Sequence, residues 1–464
     1  MTETAYLDFL ARKAITDPPT GIEADVDLPD ALFPFQRDIV RWALRRGRAA
    51  VFAGTGLGKS LMELAWGQAV SAVTGKPILH FAPLAVSSQM VREAEKFGIA
   101  ARQVSSAAGC RVGINVTNYQ KLGQFDLSDF GGVILDESSI LKSTDGHYRT
   151  SLIEAARSIP FRLAATATPA PNDFMELGNH AEFLGIMSYS DMLATFFTHD
   201  GGDTQKWRLK GHAENEFWKW MASWAVMLRK PSDLGYANDG YDLPPLRFEQ
   251  HVVGADYATA SAAGTLFPMQ AETLQERITA RRATVEQRCR RAAAITPGDR
   301  PFVWWCNLNA ESELLTRLIP GAVETRGSDP DAVKERKLDA FAAGRVRVLI
   351  TKPSVAGFGM NWQHCADTGF VGLNDSFEQF YQAVRRFWRF GQTRAVTAHI
   401  VASEIEGATV ANIRRKEADA ERMAAAMVLH TASLSRAAVR GSVREIPSYD
   451  PRQPMIIPDW LEAA

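Results

Sequence analysis

Cysteines are scarce and widely separated in this sequence. The 464 residues contain four, Cys110, Cys289, Cys306 and Cys365, and none of them stands in a C-x-x-C pair. Zinc sites and disulfide frameworks both need cysteines in closer groups. The spacing therefore argues against either and is typical of a protein from a reducing cytoplasm.

Long apolar runs and an excess of one charge are absent as well. No run approaches the roughly 20 apolar residues that a membrane helix needs, and the acidic residues near Met1 are unlike a signal peptide. The formal net charge is −1, so no global field attracts a polyanion, and nucleic acid would need local basic patches. We find no internal repeat of the kind that marks a solenoid. We therefore expect a cytoplasmic protein without membrane association.

Short apolar runs alternate with longer helical stretches from about residue 31 onward. In the first half we predict strands at residues 49–53, 78–82, 112–116, 132–135 and 162–165, with helices at 60–73 and 87–97. In the second half we predict strands at 301–305, 347–351, 368–373 and 397–401, with helices at 310–318 and 377–390. Strands that alternate with helices form parallel sheets covered on both faces.

These two regions predict an α/β fold with two parallel-sheet lobes in tandem and a helical insertion between them. We place an N-terminal extension at residues 1–30, the first lobe at 31–175, the insertion and linker at 176–295, the second lobe at 296–435 and an extended, proline-rich tail at 436–464. The hydrophobic content of 46% and the charged content of 23% are those of a globular chain with a large core.

Several residues that could suggest ligands are better explained as core. The insertion is rich in tryptophan, and its Trp220 and Trp224 fall on one helical face, so packing is favoured over base stacking. Trp304 and Trp305 lie in a predicted strand. The remaining residues of this kind are Trp207 and Trp218 in the insertion, and the adjacent His364 and Cys365, near which nothing completes a ligand set.

A glycine-rich turn joins the first predicted strand to the first predicted helix. The segment Phe-Ala-Gly-Thr-Gly-Leu-Gly-Lys-Ser occupies residues 52–60. Its backbone N–H groups can turn inward around phosphate oxygens at the start of the helix. Lys59 can reach the β- and γ-phosphates, and the Ser60 hydroxyl can bind Mg²⁺. We therefore predict a site for ATP and Mg²⁺ formed by Gly54, Thr55, Gly56, Leu57, Gly58, Lys59 and Ser60.

Two adjacent carboxylates follow another apolar strand. Asp136 and Glu137 come directly after Gly-Val-Ile-Leu at residues 132–135. The carboxyl ends of strands are where α/β proteins place their sites. Asp136 would hold Mg²⁺ through water, and Glu137 would orient and deprotonate the attacking water.

Taken in order, these motifs resemble those of superfamily-two helicases and translocases, and their Swi/Snf-like branch in particular. Ala53 to Ser60 matches the A-x-x-G-x-G-K-[ST] loop of that superfamily, and Asp136-Glu-Ser-Ser resembles its D-E-x-x box. Phe33-Pro-Phe-Gln resembles the motif whose glutamine, here Gln36, contacts adenine. Thr166-Ala-Thr-Pro resembles the segment that couples hydrolysis to motion, which implies that role for Thr166 and Thr168.

The second half continues the resemblance. Residues 351–361 resemble the G-x-G-L-N loop of the branch, which implies that Gly359 lies in the nucleotide site, although Met360 replaces the usual leucine. Residues 382–392 resemble its Q-x-x-x-R-x-x-R-x-G-Q box. The resemblance implies catalytic roles for Gln382, Arg386 and Arg389.

The two box arginines, Arg386 and Arg389, are three residues apart and would share one face of the predicted helix at 377–390. An arginine from a second lobe can stabilise charge on the transferring γ-phosphate, and lysine cannot replace its planar fork without loss. The alternative is a solvated basic helix or contacts with a phosphate backbone, the role that we expect for Arg385 and Arg394.

Nucleic-acid contacts are expected by resemblance from hydroxyl and amide side chains that bind the backbone without reading bases. These residues are Ser87, Thr117, Asn118 and Thr351. Two arginine runs could neutralise phosphates, although a solvated face is the commoner role of such runs. The runs are Arg281, Arg282, Arg288, Arg290 and Arg291, and Arg45, Arg46 and Arg48.

The expected function is a DNA-dependent ATPase motor that translocates on, or remodels, duplex DNA without sequence preference, with RNA a less favoured substrate. One alternative is a strand-separating DNA helicase in repair, recombination or replication restart. Another is a nucleotide-switched scaffold with little turnover, which Glu137 and the box arginines disfavour. The insertion or the tail could bind a protein partner. By resemblance, the compact chain implies a bacterial or phage protein.

Overall fold

The computed structural model describes residues 17–23, 26–83, 86–142, 146–170, 173–200, 203–254, 279, 281–356, 360–373, 376–404 and 407–440. Within these residues, two parallel sheets of seven and six strands carry the fold, and a two-stranded antiparallel hairpin accompanies them. The predicted α/β fold with two parallel-sheet lobes is therefore confirmed.

The first lobe is built on the seven-stranded sheet, whose order is β3-β4-β2-β5-β6-β1-β9. The strands in chain order are β1 (Arg48–Ala53), β2 (Pro77–Ala82), β3 (Ala101–Gln103), β4 (Gly113–Asn118), β5 (Gly132–Asp136), β6 (Phe161–Thr166), the hairpin strands β7 (Phe197–Asp200) and β8 (Asp203–Leu209), and β9 (Ala225–Leu228). Its helices are α1 (Pro34–Arg46), α2 (Lys59–Thr74), α3 (Ser87–Lys96), α4 (Gly146–Ala156), α5 (Leu177–Leu184), α6 (Tyr189–Phe196) and α7 (Glu214–Trp224).

The second lobe is built on the six-stranded sheet, whose order is β10-β15-β14-β11-β13-β12. Its strands are β10 (Leu246–Val253), β11 (Phe302–Cys306), β12 (Val323–Glu324), β13 (Val348–Thr351), β14 (Asp367–Val371) and β15 (Val396–Ser403). Its helices are α8 (Val285–Ile295), α9 (Asn309–Leu318), α10 (Asp331–Ala342), α11 (Pro353–Ala356), α12 (Phe377–Val384) and α13 (Gly407–Arg440). Short 3-10 helices lie at Ala107–Gly109, Tyr119–Gln124, Leu127–Asp129, Ser138–Lys142, Phe174–Glu176, Gly211–Ala213 and Pro231–Leu234.

Continuous apolar runs explain why the central strands are buried. Every residue of β5 is buried, and so is every residue of β1 after Arg48. Both faces of such strands are covered by helices, so their sequences are apolar throughout instead of alternating. Gly67 of α2 lets that helix lie close to the sheet, because a Cβ there would come within 3.0 Å of the Ile134 side chain.

The region expected to be a helical insertion is divided between the lobes. The helix α7 carries Trp218, Trp220 and Trp224 into the core of the first lobe, where all three are buried, as predicted. Strand β9 then pairs with β1, and β10 pairs with β15 of the second sheet. Residues 176–295 therefore supply edge strands to both sheets as well as helices.

The long helix α13 connects the second lobe back to the first. Met427 and Val428 are buried in the first-lobe core, and the Arg436 Nε donates to the Asp233 carbonyl at 3.0 Å. The tail expected to be extended from residue 436 thus begins as the last turns of this helix, and residues 441–464 lie outside the described ones. Over the part of the chain that the structure describes, no helix combines the length and apolarity that crossing a membrane requires.

Candidate nucleotide site between the lobes

The glycine-rich segment of residues 54–60, called the phosphate loop after its predicted role, joins β1 to α2, as the sequence predicts. Two of its glycines have left-handed backbone, with φ of 91° at Gly56 and 77° at Gly58, where side chains are disfavoured. The Gly54 N–H donates to the Leu228 carbonyl of β9 at 3.0 Å. The Lys59 ammonium reaches back across the loop and donates to the Ala53 carbonyl at 3.0 Å. The loop thus has the curvature and the cation that a phosphate group needs.

The side-chain amide of Gln36 is hydrogen-bonded to this loop. It is buried, its Oε1 accepts from the Phe33 N–H at 2.9 Å, and its Nε2 donates to the Leu57 carbonyl at 2.9 Å. A Cβ at Gly58 would lie only 2.2 Å from that Nε2. Both polar atoms of Gln36 are therefore committed within the protein, and the expected adenine contact would require an additional hydrogen bond. That contact stays a prediction.

Two carboxylates stand at the carboxyl end of β5, next to the loop. Asp136 is buried, and burial, followed by the neighbouring Glu63 and Glu137 carboxylates, holds its pKa well above the usual range. A divalent cation would offset that cost by stabilising the ionised form. The Tyr119 hydroxyl donates to the Asp136 carbonyl at 2.5 Å and fixes the end of the strand.

Glu137 has a strained backbone and a definite partner. It is the one non-glycine residue with positive φ among those described, at 52°, and such strain is commonest at functional sites. Its Oε2 accepts from the Thr166 hydroxyl at 3.3 Å, and that hydroxyl accepts from the Thr168 N–H at 3.1 Å. The two residues expected to couple hydrolysis to motion thus lie against the expected general base.

The box arginines come from the second lobe, but they do not lie on a helix. The predicted helix at 377–390 ends at Val384, because hydrogen bonds such as Arg386 N–H to the Ala383 carbonyl tighten the chain into turns. The expectation that Arg386 and Arg389 share a helical face is therefore wrong. Gln382 holds Arg386 instead, since its Oε1 and its carbonyl each accept from the guanidinium at 3.0 Å.

These arginines nevertheless interact electrostatically with carboxylates of the first lobe. Arg386 is buried, which lowers its pKa to about 10, while Glu137 and Asp136 act in the opposite direction. Burial also lowers the pKa of Arg389, and Glu93 of α3 opposes that shift. Two buried donors of the 382–392 segment, Arg389 Nε and Gln382 Nε2, have no hydrogen-bond partner among the described residues. Unpartnered donors of this kind fit a phosphate group.

The lobes touch each other at the phosphate loop. A Cβ at Gly56 would lie 2.8 Å from the Phe390 nitrogen and 3.5 Å from the Arg389 Cβ. A second contact joins the Ser88 hydroxyl of α3 to the Glu335 Oε1 of α10 at 2.6 Å. A cleft of about 580 Å³ remains beside the loop, and Thr55 and Leu57 line it together with residues of both lobes.

The structure thus brings the predicted nucleotide residues together, with Ser60 half-buried at the start of α2. Gly359 lies outside the described residues. The residues present fit Mg-ATP, because Lys59 and Arg386 lie within electrostatic reach of Asp136 next to the loop.

The expected nucleic-acid residues are all buried. Ser87 and Thr351 use their hydroxyls internally, on the Pro83 carbonyl at 3.3 Å and the Thr325 carbonyl at 3.3 Å. The other two, Thr117 and Asn118, have buried side-chain oxygens without a partner among the described residues. A phosphate backbone would reach these side chains only after their neighbours move, so their roles stay predictions.

Each arginine run contains structural members, whereas Arg282, Arg290 and Arg291 are exposed. Arg288 is fully buried and pairs with the equally buried Glu311 at 2.7 Å, and Arg281 is also buried. In the other run, Arg46 pairs with Asp17 at 2.8 Å. A run of basic residues in the sequence therefore did not indicate a basic surface at Arg281, Arg288 and Arg46. The core assignment of Trp304, Trp305 and Cys365 is confirmed by their burial.

Sequence reasoning missed a buried polar pair beneath the site. Glu63 of α2 and His80 of β2 lie 2.9 Å apart, and both are almost completely buried. The sequence feature that could have revealed this pair is Glu63 itself, a charged residue within an apolar helical stretch, one turn after Lys59.

Glu249, His251 and His399 form a group with metal-ligand chemistry on the second lobe. However, the Arg291 guanidinium donates to His251 Nδ1 at 3.2 Å, and His251 Nε2 lies 3.0 Å from His399 Nδ1. A metal-bound histidine usually donates its other nitrogen to an oxygen acceptor, so a cation at that position opposes metal binding.

Comparison of the sequence with models of known protein families and with curated proteins finds no match.

Proposed function

We propose that this protein is a DNA-stimulated ATPase that uses the energy of ATP hydrolysis to translocate on duplex DNA. The observation that carries the proposal is the meeting of two half-sites across the lobe interface. The phosphate loop and carboxylates belong to the first lobe, whereas Arg386 and Arg389 belong to the second, and Gly56 lies against Phe390.

Each residue of the two half-sites has a role in this proposal. Lys59 exchanges the Ala53 carbonyl for the β- and γ-phosphate oxygens, and Ser60 and Asp136 would hold Mg²⁺. The ion would neutralise charge that develops on the phosphates. Glu137, held by the Thr166 hydroxyl, takes a proton from the attacking water. Arg386 and Arg389 stabilise the negative charge of the transferring phosphoryl group.

A site divided between two lobes couples chemistry to motion. Completion of the site requires the lobes to close, and loss of the γ-phosphate removes what the arginines bind. A polymer held by both lobes would then be moved along once in each cycle. Contacts to the phosphate backbone would make this movement independent of sequence and sensitive to salt.

The test is ATP hydrolysis measured with duplex DNA, single-stranded DNA, RNA and no nucleic acid. We expect the largest rate with duplex DNA, and the loss of that rate in Glu137→Gln. Arg386→Lys should lower kcat by roughly 10³-fold or more, the effect of removing an arginine finger. Arg394→Lys is the matched control, since Arg394 is exposed and donates to the His364 carbonyl. Equal rates with and without DNA, or an active Glu137→Gln protein, would contradict the proposal.

A second candidate, strand separation, is favoured by the β7–β8 hairpin. His199 and Trp207 face each other across it with ring centroids 3.8 Å apart, next to a register shift between His199 and Asp200. Trp207, which was expected in the core, is partly buried against the first-lobe core. An aromatic pair on a hairpin can stack on bases and keep separated strands apart. Displacement of a labelled strand from a fork, which Trp207→Ala abolishes, would support this function. Displacement of a triplex-forming strand without fork unwinding would support translocation alone.

A further inference from the structure

The buried pair of Glu63 and His80 links α2, which follows the phosphate loop, to β2, which leads to α3. The Glu63 Oε2 and His80 Nε2 atoms are 2.9 Å apart, and the exposed fractions of the two side chains are 1% and 0%. Their remaining polar atoms, Glu63 Oε1 and His80 Nδ1, have no hydrogen-bond partner among the described residues. Each side chain therefore depends on the other for its polar contact.

Such a contact keeps α2 and β2 in a fixed register. Sliding the helix along the strand would leave two buried polar groups without partners, which is costly in a dry interior. The helix also lies tightly on the sheet, because Gly67 leaves only 3.0 Å between a built Cβ and the Ile134 side chain. A displacement of α2 would therefore break the Glu63–His80 contact unless β2 moved with it.

The two ends of this connection lead to different sites. Glu63 lies one helical turn after Lys59, so it moves with the phosphate loop. His80 is two residues before the end of β2, which leads to Pro83 and to the first turn of α3. There the Ser87 hydroxyl donates to the Pro83 carbonyl at 3.3 Å.

The connection extends to the second lobe. The residue after Ser87, Ser88, donates its hydroxyl to Glu335 of α10 at 2.6 Å. A continuous path of buried or hydrogen-bonded contacts thus runs from the phosphate loop through Glu63 and His80 to α3 and across the lobe interface.

We infer that Glu63 and His80 are positioning residues that transmit nucleic-acid binding at the first turn of α3 to the phosphate loop. The inference rests on the proposed DNA-stimulated ATPase. Neither residue touches the nucleotide or the nucleic acid. Their loss should therefore reduce the stimulation of hydrolysis by DNA while leaving the Kd values of Mg-ATP and of DNA close to those of the wild-type protein.

The principal test replaces both partners by apolar residues, as Glu63→Met with His80→Leu. Replacing both members of a buried pair avoids an unpaired polar group and tends to preserve stability. We expect the ratio of ATPase rates with and without duplex DNA to fall roughly 3- to 10-fold, the size of effect seen along coupling networks. The matched control is Trp305→Phe with Thr368→Val, which removes another buried side-chain hydrogen bond, 2.9 Å long, in the second lobe. The control should keep the wild-type ratio.

A folded double variant with wild-type stimulation would overturn the inference, and so would an equal loss in the control. If the double variant does not fold, Glu63→Gln and Glu63→Met decide the matter. In Glu63→Gln the amide can still donate to His80 Nε2, so the ratio of ATPase rates with and without DNA must stay at the wild-type value. In Glu63→Met no such hydrogen bond forms, so this ratio must fall. Equal ratios in the two variants would refute the coupling role. Wild-type protein that DNA does not stimulate would overturn the proposed function, and this inference with it. That outcome is visible before any variant is made.

Discussion

The substitution Gly58→Ala offers a quantitative test of how the phosphate loop is held. Gly58 has a φ of 77°, and a side chain in the left-handed region costs about 1–2 kcal/mol. The new Cβ would also lie 2.2 Å from Gln36 Nε2 and displace an amide that makes two hydrogen bonds of 2.9 Å. Their loss adds about 1 kcal/mol each, for a total of roughly 3–4 kcal/mol. For a lobe of this size, that corresponds to a fall in Tm of about 6–16 °C.

Thermal unfolding followed by tryptophan fluorescence measures this effect against a close control. Gly75→Ala places a side chain at a φ of 66° with no atom within 4 Å, so it should cost the backbone strain alone. In a Gln36→Ala background the obstructing amide is gone, and Gly58→Ala should likewise cost only about 1–2 kcal/mol. The reasoning is refuted if Gly58→Ala is no worse than Gly75→Ala, or if its cost is unchanged in the Gln36→Ala background.

Three further predictions concern other parts of the molecule. Thr166→Val removes the hydroxyl that contacts Glu137 and should lower the DNA-stimulated kcat about tenfold, with Tm as the check that the fold is kept; an unchanged kcat contradicts the role. Burial raises the pKa of Glu63 from 4.5 to about 8, so the folded state binds more protons than the unfolded state in that window. This contribution to the free energy of unfolding falls as pH rises from 4.5 to 8, whereas the pKa of His80, which burial lowers to about 4, contributes in the opposite direction below pH 6.5. Between pH 6.5 and 8 the Tm should therefore fall, and it should fall less in Glu63→Gln. Arg288→Met leaves the buried Glu311 carboxylate without its counter-ion, although it still accepts from the Asn307 and Leu308 N–H groups, and should cost about 3–5 kcal/mol in chemical unfolding, without a specific change in the salt dependence of DNA binding; weaker DNA binding at full stability would refute its structural role.

The phosphate loop shows why local chemistry can be predicted from sequence. A buried strand, a run of glycines and a helix carrying Lys59 and Ser60 are all adjacent in the chain. The structure places them together between β1 and α2 because short-range backbone geometry leaves few alternatives. The same holds for Asp136 and Glu137, since the carboxyl end of β5 necessarily lies at the edge that the loop occupies.

The arginine runs show that the exposure of a charged residue cannot be predicted from the sequence alone. Arg288 and Arg290 are neighbours in a basic stretch, yet the first is fully buried against Glu311 and the second is an exposed partner of Glu286. Charge in a sequence does not indicate which side of a helix faces the core. Only the packing of α8 against α9 makes that distinction.

The sequence alone thus determined the α/β class, the order of most strands and helices, and the residues at the phosphate loop, because these depend on periodicity and on neighbours in the chain. Tertiary structure decided that β9 and β10 belong to different sheets and that the turns beyond α12 direct Arg386 towards Asp136 and Glu137. It also decided the pairing of Glu63 with His80. These features depend on segments that are distant in the chain and that meet only when the lobes pack, so no local pattern could specify them.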